Sequence, residues 1–545
     1  MHIKTGATVL ALAASASAAV SKVSRQGKFL VDASNQRFYI KGVAYQPAGA
    51  VSQNTAENEA NGGFAEPSSY VDPLNNITAC QRDLPYLQQL NINTVRVYNL
   101  DSTADHSACM NLFNDNSIYV IADLGLPLNG SINRAAPSWD VGIQQQYIDT
   151  INNMAGYDNL LAFGVANEVV TGPTNTDAAP LIKAAVRDVK AYLMSIGSSA
   201  LTTYSATDGD DWSFDVAAYL TCGEQNTSVD LYGINNYRDC STAGADLTFA
   251  TSGYQVLYNA YEDLAVPAYF SEFGCITAGT RDWSEVALIY SDQMTPVFSG
   301  GSAFEFFADT DGYGLTQNLS TTGGAIVTVS DFAALGAAFA ANNGSSSTIG
   351  PSTAVSTTCP AVSVNFTASA ALPPTPNAAA CACSLDSAFT CKPNENLTPV
   401  AIGELINYAC ANLGTFATCD AIASNGTTGV YGQFSSCTPL EKLGYAFTEY
   451  YFEQNGAAGS CSFSGNATVN SSGPSSASAV NSTASTCFAS ASGTSTPTST
   501  GTTSALASTR TSSSSTGGAA LTHTDIGIVA ITTLGIVTGG FLALL

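Results

Sequence analysis

Residues 160–170 read LLAFGVANEVV, an apolar run that ends on Asn167 and Glu168 before apolar residues resume. A carboxylate among such neighbours is costly unless something pairs with it or uses it. The run is short, and so reads as a strand covered on both faces whose last residues are polar. Whether Glu168 has a purpose depends on what the rest of the chain places around it.

Similar runs recur on both sides. RFYIKGVAYQ (37–46), NTVRVYNL (93–100), SIYVIADLG (117–125), LTTYSATD (201–208), VDLYGINNY (229–237), PAYFSEFG (267–274) and SAFEFF (302–307) are short and rich in β-branched or aromatic residues. Between them, apolar residues three or four apart predict helices over Cys80 to Leu90, Val141 to Met154, Ala179 to Ser195, Tyr254 to Leu264 and Trp283 to Val297. Eight strand and helix alternations predict an α/β fold, a (β/α)8 TIM barrel. Alternation alone leaves a doubly wound open sheet possible, although no Gly-rich phosphate loop follows the first strand.

In such a barrel the working residues stand at the C-terminal ends of the strands. LLAFGVANE is the fourth strand and ends on Glu168; PAYFSEFG is the seventh and carries Glu272 at its end. Strands four and seven lie across the barrel, so the two carboxylates can converge over its mouth. Two carboxyl groups facing one cleft are the equipment of glycoside hydrolysis, one serving as acid/base and the other as nucleophile or base. A single strand-end glutamate is more often an ion-pair partner. The second glutamate, and Asn167 suited to hold a sugar hydroxyl, favour chemistry. Arg96 and Tyr98 close strand two, Asp123 strand three, Asp208 strand five, and Asn235, Asn236 and Tyr237 strand six, a set suited to sugar hydroxyls and ring faces.

The 545 residues hold 42 Asp and Glu against 17 Lys and Arg, a formal charge of -25 that disfavours nucleic acid as a partner. No cofactor is implied. A metal site is unsupported, because His106 and His523 are the histidines left after the leader and no ligand cluster surrounds them. Nor is there a Gly-x-Ser-x-Gly elbow.

Both ends of the chain read as addresses. MHIKTGATVLALAASASAAV has the basic, apolar and small-residue order of a secretory signal peptide over residues 1–19. Secretion makes the 14 cysteines a disulfide framework and gives meaning to sequons such as those at Asn76, Asn129, Asn226, Asn318, Asn365 and Asn466. The apolar tail IGIVAITTLGIVTGGFLALL follows a polar spacer and small residues and has no basic residue after it, which predicts a GPI-attachment signal over 519–545. Residues 464–518 are mostly Ser, Thr, Ala and Gly and read as a disordered, O-glycosylated stalk. The expected location is therefore the outer face of the plasma membrane, with onward passage to a cell wall as an extension of that address.

GVANE and YFSEFGC, with KGVAYQ, RVYNLD, YGINNYRDC and FSSCTPLEKLGYAFTEYYF, resemble the fungal β-1,3-glucanosyltransferases of glycoside hydrolase family 72 (Gas/Gel/Phr type), in the family's order and over essentially the whole chain. The resemblance implies a retaining transglycosylase that cuts a β-1,3-glucan internally and passes the new reducing end to the non-reducing end of another glucan chain. Hydrolytic glucanase action, which uses the same residues, and a non-enzymatic wall protein are the alternatives. Carried over by position, Glu168 is the acid/base and Glu272 the nucleophile. Tyr98 and Asn167 touch the donor sugar, Asp208 lies on the acceptor side, and Tyr237 and Phe304 also line the substrate cleft. Two positions depart from the family pattern. An arginine expected soon after Asp208 is missing from DGDDWSFD, and a donor-side tyrosine is replaced by Phe304, which keeps a ring but loses the hydroxyl.

The family also implies the pairs Cys80–Cys109, Cys222–Cys359 and Cys240–Cys275, among which spacing alone leaves 15 pairings open. It divides the remainder into a catalytic domain over 20–362, a linker over 363–378 and a small, mainly helical cysteine-rich X8 module (carbohydrate-binding module family 43) over 379–487. In that module the aromatics of LEKLGYAFTEYYF read first as core.

Overall fold

The computed structural model describes residues 20–47, 69–127, 130–237, 247–276, 279–308, 312–317, 324–350, 356–414, 417–457 and 459–491. The leader, the end of the chain beyond 491 with its stalk and anchor readings, Asn129, Asn318 and Cys240 lie outside these residues.

An antiparallel hairpin, β1 (Ser24–Gln26) and β2 (Phe29–Val31), comes first. The eight apolar runs then supply eight parallel strands: β3 (Ile40–Ala44), β4 (Thr94–Val97), β5 (Tyr119–Asp123), β6 (Leu160–Asn167), β7 (Leu201–Thr207), β8 (Leu231–Asn236), β9 (Ala268–Phe273) and β10 (Phe298–Ala303). β10 pairs in parallel with β3, so the sheet closes on itself and the open doubly wound alternative falls away. Nearly every strand residue is buried, as expected where a parallel sheet is covered by helices outside and filled by side chains inside.

The covering helices span Ile77–Gln89, Ser107–Asp115, Val141–Met154, Ala179–Ser195, Asp211–Thr221, Tyr254–Tyr261, Ser284–Ile289 and Phe332–Ala341. Two match the expected bounds at both ends. Three had no expectation: Ser107–Asp115, Asp211–Thr221 and Phe332–Ala341. The last is apolar nearly all round, which hides helical periodicity. The helix expected over Trp283 to Val297 stops at Ile289, and a turn ahead of Pro296 leads into β10.

The eighth strand lies earlier than SAFEFF suggests, at FSGGSA. Gly300 and Gly301 read as a turn, yet here they let neighbouring strands press close. A Cβ on Gly300, whose φ is +87°, would sit 2.1 Å from the Ile40 carbonyl oxygen, and one on Gly301 would sit 2.7 Å from that of Phe270.

The two ends of the barrel differ in chemistry. At the N-terminal end Tyr119, Leu161, Leu201, Leu231 and Tyr269 form an apolar cluster with Val23 and Leu30 of the leading hairpin, a dry plug. The polar strand ends gather at the other mouth. Gly164, midway along β6, links core to mouth: a Cβ there would lie 2.0 Å from Asp123 Oδ1. Gly164→Ala is expected to displace Asp123 and cost roughly 1–3 kcal/mol through overpacking, read as a lowered denaturation midpoint. An unchanged midpoint would show that the space is not needed.

Residues 363–378 follow the barrel surface. Phe366 is fully buried against Tyr219, the Tyr219 hydroxyl donates to the Ser369 carbonyl at 2.6 Å, and Thr375 Oγ1 donates to Asp188 at 2.7 Å. The small module then packs on the barrel, with the Val141 amide donating to Ser436 O at 3.0 Å and Lys442 Nζ to Ser138 Oγ at 3.2 Å. Its helices span Ala378–Cys383, Pro399–Ala411, Pro439–Glu453 and Ala477–Ala491. The bridges Cys381–Cys437, Cys383–Cys487, Cys391–Cys461 and Cys410–Cys419 staple a core of Phe389, Phe434, Tyr445 and Phe447.

The stalk reading needs correction at its start. Residues 467–469 form a strand, and Ala477–Ala491 is a helix that buries Val480, Ala484 and Cys487. A Ser/Thr/Ala composition hides a helix whose few apolar side chains are enough once Cys487 is bridged to Cys383. In the barrel Cys80 is bonded to Cys109 and Cys222 to Cys359, the first tying two neighbouring outer helices together.

Candidate active site

Glu168 and Glu272 reach the polar mouth through the same device. Along β6 the pairing with β7 slips between Gly164 and Ala166, and along β9 the pairing with β8 skips Ser271. Each carboxylate strand therefore carries one extra residue just before its last turn, which re-aims the side chains that follow. Glu168 is held at φ +50°, a left-handed conformation that costs about 1–3 kcal/mol in a non-glycine residue. The backbone is fixed on both sides: the Glu168 amide donates to Ser205 O at 2.8 Å, and Arg134 Nε donates to the Glu168 carbonyl at 2.8 Å.

Arg96, on β4, is fully buried and organises the site. Its guanidinium donates to Asp123 Oδ2 at 2.7 Å, to Glu272 Oε1 at 3.0 Å and to Asn167 Oδ1 at 3.0 Å, and lies 4.3 Å from the ring centre of Tyr98. Glu272 also accepts from the Tyr98 hydroxyl through Oε1 and from the Tyr237 hydroxyl through Oε2, both at 2.8 Å. Glu168 Oε1 accepts from Asn235 Nδ2 at 2.8 Å, and the same Nδ2 donates to Asn167 Oδ1 at 3.1 Å. Both carboxyl groups thus belong to one continuous network.

Their environments differ. Burial pushes the Glu168 carboxyl up to about 7, and the charge of Glu272 adds to the rise, against the Asn235 hydrogen bond and the two arginines. Burial raises Glu272 as well, but Arg96 and the two tyrosine hydroxyls oppose it. Three donors, one of them cationic, make Glu272 the carboxylate of the pair. Burial raises both phenols well above their usual range, so each remains a donor.

Rings surround Glu272. Phe304 meets Tyr98 edge-on at 6.5 Å and Tyr237 at 6.3 Å. Tyr313 closes the group, 5.4 Å from Phe304 and 5.6 Å from Tyr237. Asp208 stands half-buried just past β7, at the same end of the barrel. Cys275 follows Glu272 closely, while its expected partner Cys240 falls outside the described residues.

Sequence reasoning assigned no role to Tyr313, Gln46, Ser271 or Arg134. Tyr313 sits in DGYGL, where no periodicity marks it. Gln46 follows the first strand; its Oε1 accepts the amides of Tyr98 and Asn99 at 3.1 and 3.0 Å, and its Nε2 donates to Val71 O at 2.7 Å. His106 pins the same pair of loops. One ring nitrogen meets Asp72 Oδ2 at 2.7 Å and the other meets Asn153 Oδ1 at 2.5 Å; both partners are acceptors, because the Asn153 amide nitrogen already donates to the Ser102 and Ala104 carbonyls. His106 is therefore an imidazolium: burial works against the charge, but the contacts with Asp72 and Asn153 and the nearby Asp101 together raise its pKa.

Comparison with known proteins agrees with this geometry. The family model for glucanosyltransferases of glycoside hydrolase family 72 matches residues 11–343, and the X8 domain model matches residues 389–468. The chain is 37% identical over 466 residues to 1,3-beta-glucanosyltransferase gas1 of Schizosaccharomyces pombe, covering 85% of this chain and 81% of that protein. It is 35% identical over 438 residues to 1,3-beta-glucanosyltransferase GAS2 of Saccharomyces cerevisiae, covering 78% and 75%. A solved structure of a Saccharomyces cerevisiae Gas2p mutant with laminaritetraose and laminaripentaose superposes with a TM-score of 0.73 at 31% identity, over 86% of this chain and 99% of that one.

Proposed function

The chain belongs to the glucanosyltransferase family, glycoside hydrolase family 72, and from that premise we propose that Glu168 and Glu272 carry a retaining transfer between β-1,3-glucan chains. The protein is a 1,3-β-glucanosyltransferase, which cleaves one glucan and joins the new reducing end to the non-reducing end of another.

The observation that carries the assignment of roles is the unequal support of two carboxyl groups in one network, Glu272 holding three donors with one a guanidinium and Glu168 one neutral amide, a pattern that separates nucleophile from acid. Glu272, the carboxylate, attacks the anomeric carbon. Among the described residues Oε1 is held by Arg96 and Tyr98 while Oε2 accepts from Tyr237, which leaves Oε2 the freer oxygen. Glu168, protonated up to about pH 7, gives its proton to the departing glycosidic oxygen. The bond from the anomeric carbon to that oxygen breaks as the bond to Glu272 forms, and the leaving glucan departs with a free hydroxyl. Glu168, now a carboxylate, takes the proton from the incoming acceptor hydroxyl, whose oxygen displaces Glu272 and restores the original anomeric configuration. Asn167, Tyr98, Tyr237 and Phe304 line the donor side and Asp208 the acceptor side. Transfer and hydrolysis differ only in whether sugar or water reaches the intermediate. Incubation with a reduced laminari-oligosaccharide is expected to give products longer than the substrate, and products that are exclusively shorter would overturn transfer.

The raised Glu168 carboxyl sets the pH dependence. The first step needs its proton and an ionised Glu272, so kcat/KM is expected to fall tenfold per pH unit above about pH 7 and to fall again on the acid side as Glu272 is protonated. A profile flat to pH 9 would remove Glu168 from the acid role.

Residues 1–19 serve as the signal peptide, 20–362 as the catalytic domain, 363–378 as its connection to the X8 module over 379–487, and 519–545 as the GPI signal that leaves the mature protein on the outer leaflet of the plasma membrane. Support comes from the leader and tail patterns. Among the described residues no helix is long and apolar enough to cross a membrane. Phosphatidylinositol-specific phospholipase C is expected to release the protein from cells, and full retention would count against the anchor.

A further inference from the structure

We propose that Asn235, locked by Ser271, is a positioning residue that decides which oxygen of Glu168 carries the proton and that holds Glu168 as a carboxylate in the second half of the reaction. The inference rests on the acid/base role given to Glu168 above.

The orientation of the Asn235 amide follows from its neighbours. Arg96 is only a donor, so the Asn167 oxygen faces it at 3.0 Å as an acceptor. That same oxygen faces Asn235 at 3.1 Å, which requires a donor there, so the Asn235 nitrogen points toward Asn167 and Glu168. Ser271 Oγ completes the lock by donating to Asn235 Oδ1 at 2.7 Å. A flipped amide would set its oxygen against the Asn167 oxygen, withdraw the N–H from Glu168 and oblige the Ser271 hydroxyl to turn from donor to acceptor. Asn235, Asn236 and Ser271 are all at least 97% buried, so no bulk water relieves such a mismatch.

Two consequences follow for Glu168. Its Oε1 receives an N–H, so the acid proton resides on Oε2. After that proton leaves, the Asn235 N–H stabilises the carboxylate, so Glu168 stays ionised to receive the acceptor proton. The other charged or titratable groups facing Glu168 are Glu272 on β9, Arg96 on β4, Arg134 from the loop after β5, Tyr204 on β7 and Tyr237 just past β8. Among the described residues Asn235 is the group that donates a hydrogen bond to the Glu168 carboxyl. Ser271 is also the extra residue that the β8 pairing skips beside Glu272, so one irregularity in β9 serves both carboxyl groups.

The test compares full-length wild type with Asn235→Ala, Ser271→Ala and Glu168→Gln on defined laminari-oligosaccharides. Loss of the N–H raises the Glu168 pKa, so the alkaline limb of kcat/KM is expected to move up by about one pH unit in Asn235→Ala and by less in Ser271→Ala. At a pH below the raised limb a one-unit shift leaves about tenfold less Glu168 ionised to act as base, so kcat is expected to fall about tenfold more than kcat/KM there, and glycosyl-enzyme to accumulate in quenched samples weighed by mass spectrometry. If both alanine variants keep the wild-type limb while kcat and kcat/KM fall together, Asn235 is only structural and the inference fails. Should Asn235→Ala not fold, the Ser271→Ala limb decides alone. A fully active Glu168→Gln overturns the acid/base reading itself, and the inference with it; an inactive Glu168→Gln beside an unshifted limb overturns only the inference.

Discussion

Glu272→Gln is expected to lower glucan transfer by roughly four orders of magnitude or more while leaving the fold intact. The local geometry favours this outcome. A glutamine oxygen in place of Oε1 still accepts from Arg96 and Tyr98, and the amide nitrogen donates to the Tyr237 hydroxyl oxygen, so each of the three contacts survives. Only the nucleophile is lost. Unfolding midpoints should stay close to wild type, which separates chemistry from stability. Stereochemistry gives a second measurement. With Glu272→Ala, an activated β-glucosyl donor and azide, a single displacement yields the α-azide; with Glu168→Ala, Glu272 still forms the intermediate and a second displacement yields the β-azide. A β product from the Glu272 variant would show that the roles of the two glutamates are wrongly assigned.

The barrel was legible because a parallel sheet covered on both faces leaves a rhythm of short apolar runs, and all eight appear in order. Glu168 and Glu272 were legible because each ends such a run. What escaped is what periodicity cannot carry. β10 was displaced because Gly300 and Gly301, which look like a turn, are there to let strands approach. The register slips in β6 and β9 leave no mark in LLAFGVANE or AYFSEF, yet they aim both carboxylates. Nothing in PAYFSEFG sets Ser271 apart, and Tyr313 lies in DGYGL, where no periodicity marks it. Arg96 was seen as one polar strand end among several, and its central place is a property of three dimensions: it joins residues from β4, β5, β6 and β9.

That central place makes Arg96 the position where a single change should cost the most stability. Its side chain is wholly buried, and the side chains of Asp123 and Glu272 that pair with it are only 7% and 9% exposed. Arg96→Met removes the cation and leaves two buried carboxylates facing each other, an arrangement that costs about 3–5 kcal/mol when one partner of a buried pair is lost. The deficit should depend on pH, with a sign that can be worked out. Burial already raises Asp123 and Glu272, and Arg96 opposes that rise in both. Without it, their folded-state pKa values climb further above the unfolded ones, so the folded variant binds more protons than the unfolded chain. Its stability is then best preserved at low pH and falls as pH rises through the raised values. The gap from wild type in urea midpoint should therefore be small near pH 4 and wide at pH 8. Arg96→Lys should recover only part of it, since one ammonium cannot replace a fork that reaches Asp123, Glu272 and Asn167 together. Adding Asp123→Asn to Arg96→Met should narrow the gap at pH 8 by removing one of the stranded charges. A gap that stays the same at both pH values would mean that Arg96 acts through packing alone, and that the ionisation of Glu272 is set by something other than its contact with this guanidinium.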